Sequence, residues 1–553
     1  MVEVIQRLRA LVPLISEICQ IAGTPGVSIG VLHEGAIVFT HNYGYRDVKA
    51  RLPPNENTIY HLGSLSKSFT AASLGILVDE GKLSWGDSVK DLLPKFRHFD
   101  ETVYDHANVI DFLSHRTGLA PKNSLWLHER AGLSLARRET LNVVSYLEIV
   151  AEFRSQWLYN NWGYALADLI TERLSGQSWG DFLTRRILEP LALNRTRTRH
   201  DSDKKNVAQA YMALSDGSPF QLPRPRIGDG TIMEGAAGVQ STVSDLLKYS
   251  QVLMETAAKE DSEQTKNITG YSPFKQLRVI LKGHIDLSPV VAGREQSYAL
   301  GWIRTMLPGP LGTCGLNPMY VESMPIVGKG IDDPELVIHH QGSIIDFLSS
   351  IHLIPRTRTA VVVLTNSLAR NDAADWLGQL IVEAILDNPY KNDYVELAKQ
   401  SAETSIALWS QMARNLEEGR DPNTPRRPNW EYVGSYYNVV KDYYIEVFEK
   451  DQELFMCHQG DRSQSYQLKH FRYDSFSWLL TRDECAHRGL FPETHLEFYI
   501  LRFGLDERDN IDHVVWKHDP SVPEGETFRQ LCQQASIVEQ KQGGNQNVLG
   551  PKG

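Results

Sequence analysis

Apolar residues at Val4, Ile5, Leu8, Leu11, Leu14, Ile15 and Ile18 recur at helical spacing, which predicts an amphipathic helix over residues 1–20. Two β-rich runs follow, 26–32 (GVSIGVL) and 36–40. The His33-Glu34-Gly35 between them reads as a hairpin turn. A helix is expected from about 65 to 80, stopped by Gly81. From about 90 to 255 the pattern is mainly helical, with long loops near 195–235. The stretch 254–285 is charged and irregular before an apolar LRVIL, and reads as a lid or an insertion. Three strand-like runs, 336–340, 346–354 and 359–366, then come in quick succession with short turns, so they are expected to pair antiparallel. A helix at 373–386 closes this region ahead of Asn388-Pro389. The N-terminal hairpin and the three later strands should form one antiparallel sheet bracketing a helical middle.

At 417–429 (EEGRDPNTPRRPN) the chain becomes Pro-rich, charged and nearly free of apolar residues, as linkers are. Beyond it, 432–529 alternates in short runs such as YYIEVFEK, YQLKHF and HLEFYILRF. About seven strands at this spacing predict a small barrel or sandwich. The resulting division is a catalytic domain at 1–415, a linker at 416–430, a barrel at 431–530 and a tail at 531–553 with a disordered-type end.

Composition narrows the partners. The 553 residues carry 57 Lys+Arg against 68 Asp+Glu, a formal charge of −11. A chain with pI ≈ 5.9 has no overall field drawing it to phosphate backbones or anionic lipid, so neither nucleic acid nor membrane is expected as a partner. No apolar stretch approaches the roughly 18 residues that span a bilayer. Arg7 and Arg9 interrupt the N-terminal apolar pattern, so no secretory signal is read. The five cysteines (Cys19, Cys314, Cys457, Cys485, Cys532) are scattered and show neither disulfide-framework nor zinc-site spacing. A reducing, cytoplasmic location is expected.

Three short motifs carry chemistry. Ser64-Leu65-Ser66-Lys67 opens a predicted helix, where positions i and i+3 share a face and bring a hydroxyl to an amine. A serine becomes a nucleophile when a base takes its proton, and a desolvated lysine can be that base. The helix N-terminus adds free N–H groups beside a developing oxyanion. Alone this spacing is weak, since roughly two such tetrapeptides occur by chance in a chain of this length. Tyr159-Asn160-Asn161, in a polar-aromatic loop, adds a phenol able to act as a base and an amide able to orient the lysine or the substrate. His340-Gln341-Gly342-Ser343 lies on a predicted strand. Its first residue is assigned to the pocket, with His339 on the opposite face. Gly342 would let a ligand approach, and the backbone N–H of Ser343 would complete an oxyanion hole.

Taken in order and spacing, Ser64–Lys67 as S-x-x-K, Tyr159–Asn161 as Y-x-N and His340–Gly342 as K/H-x-G resemble the penicillin-recognising serine hydrolases. The likeness is to the class C β-lactamase-like branch of esterases, D-amino-acid peptidases and transesterases. Further landmarks match at GVSIGVLHEG (26–35), ASLGILVDEGKL (72–83), LSHRTGL (113–119), GAAGVQSTVSDLLKY (235–249) and YALGW (298–302), so the resemblance spans about 20–385. It implies a β-lactamase/transpeptidase-like α+β fold, an antiparallel sheet flanked by helices with a mostly helical subdomain. YVGSYYN (432–438) and the strand spacing resemble a lipocalin-like domain appended to some relatives.

The implied roles follow residue by residue. Ser64 attacks an ester, lactone, thioester or amide and forms an acyl-enzyme. Lys67 and Tyr159 share the base role, and Tyr159 protonates the leaving group. Asn161 orients Lys67 or the substrate, and His340 hydrogen-bonds Tyr159 or the substrate. The N–H groups of Ser64 and Ser343 hold the oxyanion, and Gln341 and Gly342 contact the substrate. His340 in place of Lys matches esterase-like members, and Gln341 stands where the family commonly has Thr. No metal or organic cofactor is implied. A small-molecule substrate in natural-product metabolism is expected. The second reading is an acyltransferase taking an acyl thioester to an alcohol, and the third an inactive ligand-binding relative.

Overall fold

The computed structural model describes residues 1–199, 205–262, 272–287 and 294–531, and in them the β-branched run Val361–Val363 lies within an eight-stranded sheet. Its strands are β1 (Gly26–His33), β2 (Ala36–Gly44), β3 (Ile285–Asp286), β4 (Gln296–Tyr298), β5 (Ile303–Leu307), β6 (Glu335–Ile344), β7 (Phe347–Ile354) and β8 (Thr359–Thr365). They run in the order β2-β1-β8-β7-β6-β5-β4-β3, every neighbouring pair antiparallel. Every residue of β1, β7 and β8 is buried, which is why these strands read as unbroken apolar runs.

Helices cover both faces. They are α1 (Val2–Ala10), α2 (Val12–Ala22), α3 (Ser66–Asp79), α4 (Trp162–Ser175), α5 (Val243–Asp261), α6 (Ala373–Leu386) and α7 (Tyr394–Gly419). On one face α6 packs against β7 and β8, α1 and α2 pack on α6, and Ile29, Val31 and Val361 share a core with Trp376 and Leu377. On the other, α5 lies on β1 and β8, so closely at Gly30 that an added Cβ would stand 2.3 Å from Val243 Cγ1. The α3 helix is buried almost all round although it is rich in hydroxyls. Those hydroxyls bond to nearby carbonyls: Ser68 to Leu65 O at 2.9 Å, Ser73 to Phe69 O at 2.9 Å and Thr70 to Gly235 O at 2.7 Å.

Several expectations change. The N-terminal helix is two helices broken at Leu11, because Pro13 in the first turn of α2 lacks an N–H and cannot continue the preceding helix. The charged start of the 254–285 stretch is the last turns of α5, and Leu277–Ile280 forms a short helix of its own; 263–271 lies outside the described residues. Glu417, Glu418 and Gly419 complete α7 rather than opening a linker.

The chain divides into two compact units, Met1–Glu418 with Leu480–His495, and Gly419–Leu479 with the chain from Leu496 onward. The second unit is a closed antiparallel barrel of eight strands: β9 (Gly434–Tyr437), β10 (Tyr444–Lys450), β11 (Glu453–His458), β12 (Tyr466–Arg472), β13 (Ser475–Ser477), β14 (Ile500–Leu505), β15 (Ile511–Trp516) and β16 (Glu526–Gln530). Tyr436 opposite Gln530 closes the ring. Between β13 and β14 the chain leaves the barrel, and Leu480–His495, carrying α8 (Arg482–Arg488), belongs to the first unit. A Thr481–Glu484 capping box starts α8, and Gly489 in the left-handed region ends it. Among the described residues no helix is long and apolar enough to cross a membrane.

Candidate active site

The site is assembled where the turn before α3 meets strand β6. Gly63–Leu65 form a 3-10 turn leading into α3, and Gly63 has φ +53. A Cβ on Gly63 would lie 2.9 Å from the Ser343 nitrogen, and one on Gly342 would lie 2.1 Å from Leu62 O. Two glycines therefore let the backbone of the nucleophile turn touch the strand, which brings the Ser343 N–H to the neighbourhood of Ser64. The close approach at Gly342 is by the Leu62 carbonyl, a correction to the expectation that this glycine makes room for a ligand. On the far side of α3, Gly301 (φ +77) approaches so closely that an added Cβ would lie 2.8 Å from the Lys67 carbonyl carbon.

Four of the residues singled out in the sequence converge. Ser64 Oγ is 3.0 Å from Lys67 Nζ and receives a hydrogen bond from the Tyr159 hydroxyl at 2.8 Å. Lys67 also donates to Asn161 Oδ1 at 2.8 Å and to the Ala236 carbonyl at 3.1 Å. The lysine is fully buried and faces the rings of Tyr159 and Tyr164 at 5.0 and 5.3 Å. Burial lowers its pKa to about 7 and pushes the Tyr159 phenol well above its ordinary range. Near neutral pH the lysine gives up its proton readily and the tyrosine holds its own.

The other two side chains are placed differently. His340 does lie on the Tyr159 side, but its ring centroid is 6.2 Å from that of Tyr159 and its hydrogen bonds go elsewhere. Nδ1 faces the Gln341 carbonyl at 2.5 Å, which puts the ring proton there and leaves Nε2 to accept from the Tyr298 hydroxyl at 3.0 Å. Burial, with Lys67 nearby, lowers the His340 pKa to about 3, so the imidazole is neutral. Gln341 is not a substrate contact. Strand alternation turns it, with His339, to the α6 face, where it is fully buried and donates to Asp375 Oδ1 at 3.1 Å.

Residues without an assigned role complete the site. Asn161 Nδ2 donates to Asn123 Oδ1 at 2.9 Å. His115 accepts the Asn160 backbone N–H at 3.1 Å and packs 4.4 Å from the Tyr159 ring and 4.6 Å from the Tyr298 ring. Burial holds its pKa well below the usual range. Arg137 pairs with Asp168 at 2.8 Å and Glu234 at 3.0 Å. Asp168 in turn accepts the Gly235 N–H at 3.2 Å, which secures the turn whose Ala236 carbonyl meets Lys67. His115, Ala236 and Tyr298 all fall in the landmark stretches LSHRTGL, GAAG and YALGW, whereas nothing in the pattern around Asn123 marks it. Among the described residues no group of three or more His, Cys, Asp or Glu is placed to hold a metal ion.

Comparison with known proteins supplies the family. The beta-lactamase family model matches residues 13–384, and a domain of unknown function (DUF3471) matches 419–530. The chain is 24% identical over 520 residues to an unguisins hydrolase of Aspergillus campestris, covering 90% of this chain and 87% of that protein. It is 24% identical over 367 residues to a beta-lactamase of Yersinia enterocolitica, covering 62% and 82%. A penicillin-binding protein homologue from Pyrococcus abyssi, described as octameric, superposes with a TM-score of 0.55 at 21% identity, covering 94% of this chain and all of that one, and so shares the fold. With the family model matched across the sheet, α3 and the Ser64–Lys67–Tyr159 cluster, the chain belongs to the beta-lactamase family of serine hydrolases.

Proposed function

We propose that this protein is a serine hydrolase that forms an acyl-enzyme on Ser64 with a small ester, lactone, thioester or amide, in natural-product metabolism. The observation that carries this reading is the double contact at Ser64 Oγ, with Lys67 Nζ at 3.0 Å and the Tyr159 hydroxyl at 2.8 Å. Lys67 has three polar neighbours, of which Asn161 Oδ1 and Ala236 O can only accept. A neutral amine gives its two N–H bonds to those two and keeps its lone pair for the Ser64 proton. Lys67 is then the first base, and Ser64 Oγ attacks the carbonyl carbon. The oxyanion is held by the N–H groups of Ser64 and Ser343. As the carbon–leaving-group bond breaks, Tyr159 donates its proton to the departing group and is reprotonated at the expense of the Lys67 ammonium. Water then cleaves the acyl-enzyme by the same steps reversed.

The unguisins hydrolase among the relatives favours hydrolysis over transfer and makes unguisins a first substrate to try. The thiols of Cys19, Cys314 and Cys457, none of them in a disulfide, support a reducing, intracellular location. A fluorophosphonate probe should label the wild type at Ser64. Equal labelling of Ser64→Ala removes the nucleophile assignment. Supplying an acyl thioester with and without an alcohol separates the two outcomes, since free acid in both cases means hydrolysis and a new ester means acyl transfer.

A further inference from the structure

The Asn161 amide must present its oxygen, not its nitrogen, to Lys67, and the two ends of an amide differ little in shape. What decides the orientation lies outside the Ser64 cluster. Asn123 Oδ1 accepts from Asn161 Nδ2 at 2.9 Å and from Trp126 Nε1 at 3.2 Å. An indole N–H can only donate, so Trp126 fixes which end of Asn123 is oxygen. Asn123 then fixes which end of Asn161 is nitrogen, and Oδ1 is left for Lys67. Trp126 is buried and held at both sides in sequence, its N–H donating to Asn123 O at 3.3 Å and its carbonyl accepting from Ser134 at 3.1 Å.

The loop carrying these two residues is anchored by the stretch that leaves the barrel. Arg488 Nε donates to the buried Glu129 carboxylate at 2.5 Å, and the Arg130 N–H donates to Gly489 O at 3.0 Å. Gly489 (φ +62) lies so close that an added Cβ would be 2.9 Å from Arg130 Cα. The stretch is itself pinned to the first unit: Asp483 accepts from both the N–H and the hydroxyl of Ser215 at 2.7 Å, and Arg482 donates to Ala213 O at 2.6 Å.

We propose that the excursion 480–495 is a positioning element for the catalytic lysine. Through Arg488 and Gly489 it holds the 122–134 loop, whose Trp126 and Asn123 set the orientation of the Asn161 amide. This rests on the reading of Ser64 and Lys67 given above. If Asn161 flips, two N–H groups face Lys67. They disfavour the ammonium and capture the lone pair that would take the Ser64 proton.

The test is the second-order rate of Ser64 labelling by a fluorophosphonate, measured in the full-length protein on both sides of the Lys67 pKa of about 7. Trp126→Phe and Asn123→Leu should each slow labelling about tenfold and move the midpoint of the pH–rate profile downward. Arg488→Ala should do the same by about threefold, with partial recovery in Arg488→Lys. Slower labelling with an unmoved midpoint, whether or not the melting temperature falls, would overturn the proposal, as would wild-type behaviour of all four variants. Absence of Ser64 labelling in the wild type would instead refute the nucleophile assignment.

Discussion

Strand β6 divides two buried polar clusters that alternate along the same few residues. On one face His340 stands beside Tyr298, Tyr159 and Lys67. On the other, Gln341, with His339 beside it, donates to Asp375, which also accepts from Asn317 at 2.9 Å and Gln379 at 3.0 Å, with Asp372 alongside. Both clusters contain groups whose proton affinities are far from ordinary: burial lowers Lys67 on the first face and raises Asp372 and Asp375 on the second. Shifted titration therefore reports burial on both. What separates them is access and a nucleophile. Asn317, Gln341, Asp372, Asp375 and Gln379 are all fully buried, whereas Ser64 and Tyr159 are half-buried and Ser64 Oγ is the point on which an amine and a phenol converge. One cluster ties α6 to the sheet; the other leaves Ser64 and Tyr159 partly exposed.

Substitutions on the two faces should thus fail in different ways. Lys67→Ala is expected to lower acylation of Ser64 by about 10²-fold or more, measured by probe labelling. In the wild type that rate should rise with pH through about 7, as the lysine loses its proton, and then level off. Tyr159→Phe should cost about 10²-fold on esters with poor leaving groups and much less on activated esters, because its proton is spent on the departing group. Equal losses on both would remove it from that role.

Across the strand the expected effects are on stability. Gln341→Leu should destabilise the fold by about 1–3 kcal/mol in denaturant titration, since it strips a hydrogen bond from a buried carboxyl, while Ser64 labelling stays at the wild-type rate. A fall in labelling without a fall in stability would erase the distinction between the two faces. The smallest effect concerns pH. Asp372 and Asp375 are held above the ordinary aspartate value of 3.8, so the folded protein keeps protons that the unfolded chain releases. Stability from this source is complete below that value and is lost as pH rises through the folded pKa values. Asp372→Asn keeps the cap that accepts from the Asp375 N–H and should flatten that decline in melting temperature.

The antiparallel sheet was legible because β1, β7 and β8 are short apolar runs bounded by turn residues, and α6 coincides with the predicted 373–386. That Ser64, Lys67, Tyr159 and Asn161 come together was legible from the motifs in their joint order and spacing, none of them being specific alone. The role of His340 was not, since its partner Tyr298 is remote in sequence and the pairing exists only once β4 and β6 lie in one sheet. Gln341 was misplaced because a motif names a position but not a face. The strand spacing places the excursion 480–495 in the barrel, although the Thr481–Glu484 box and Gly489 are ordinary helix signals within that stretch.

Local order thus settled which elements form and which side chains can react, because propensity, period and motif chemistry are properties of neighbouring residues. Tertiary packing alone decided that Lys67 is fully buried with its pKa lowered, that His340 is neutral and engaged by Tyr298, and that a loop at 122–134 and a helix at 482–488 stand behind one amide. Burial and hydrogen-bond partnership depend on groups hundreds of residues apart, and no local pattern encodes them.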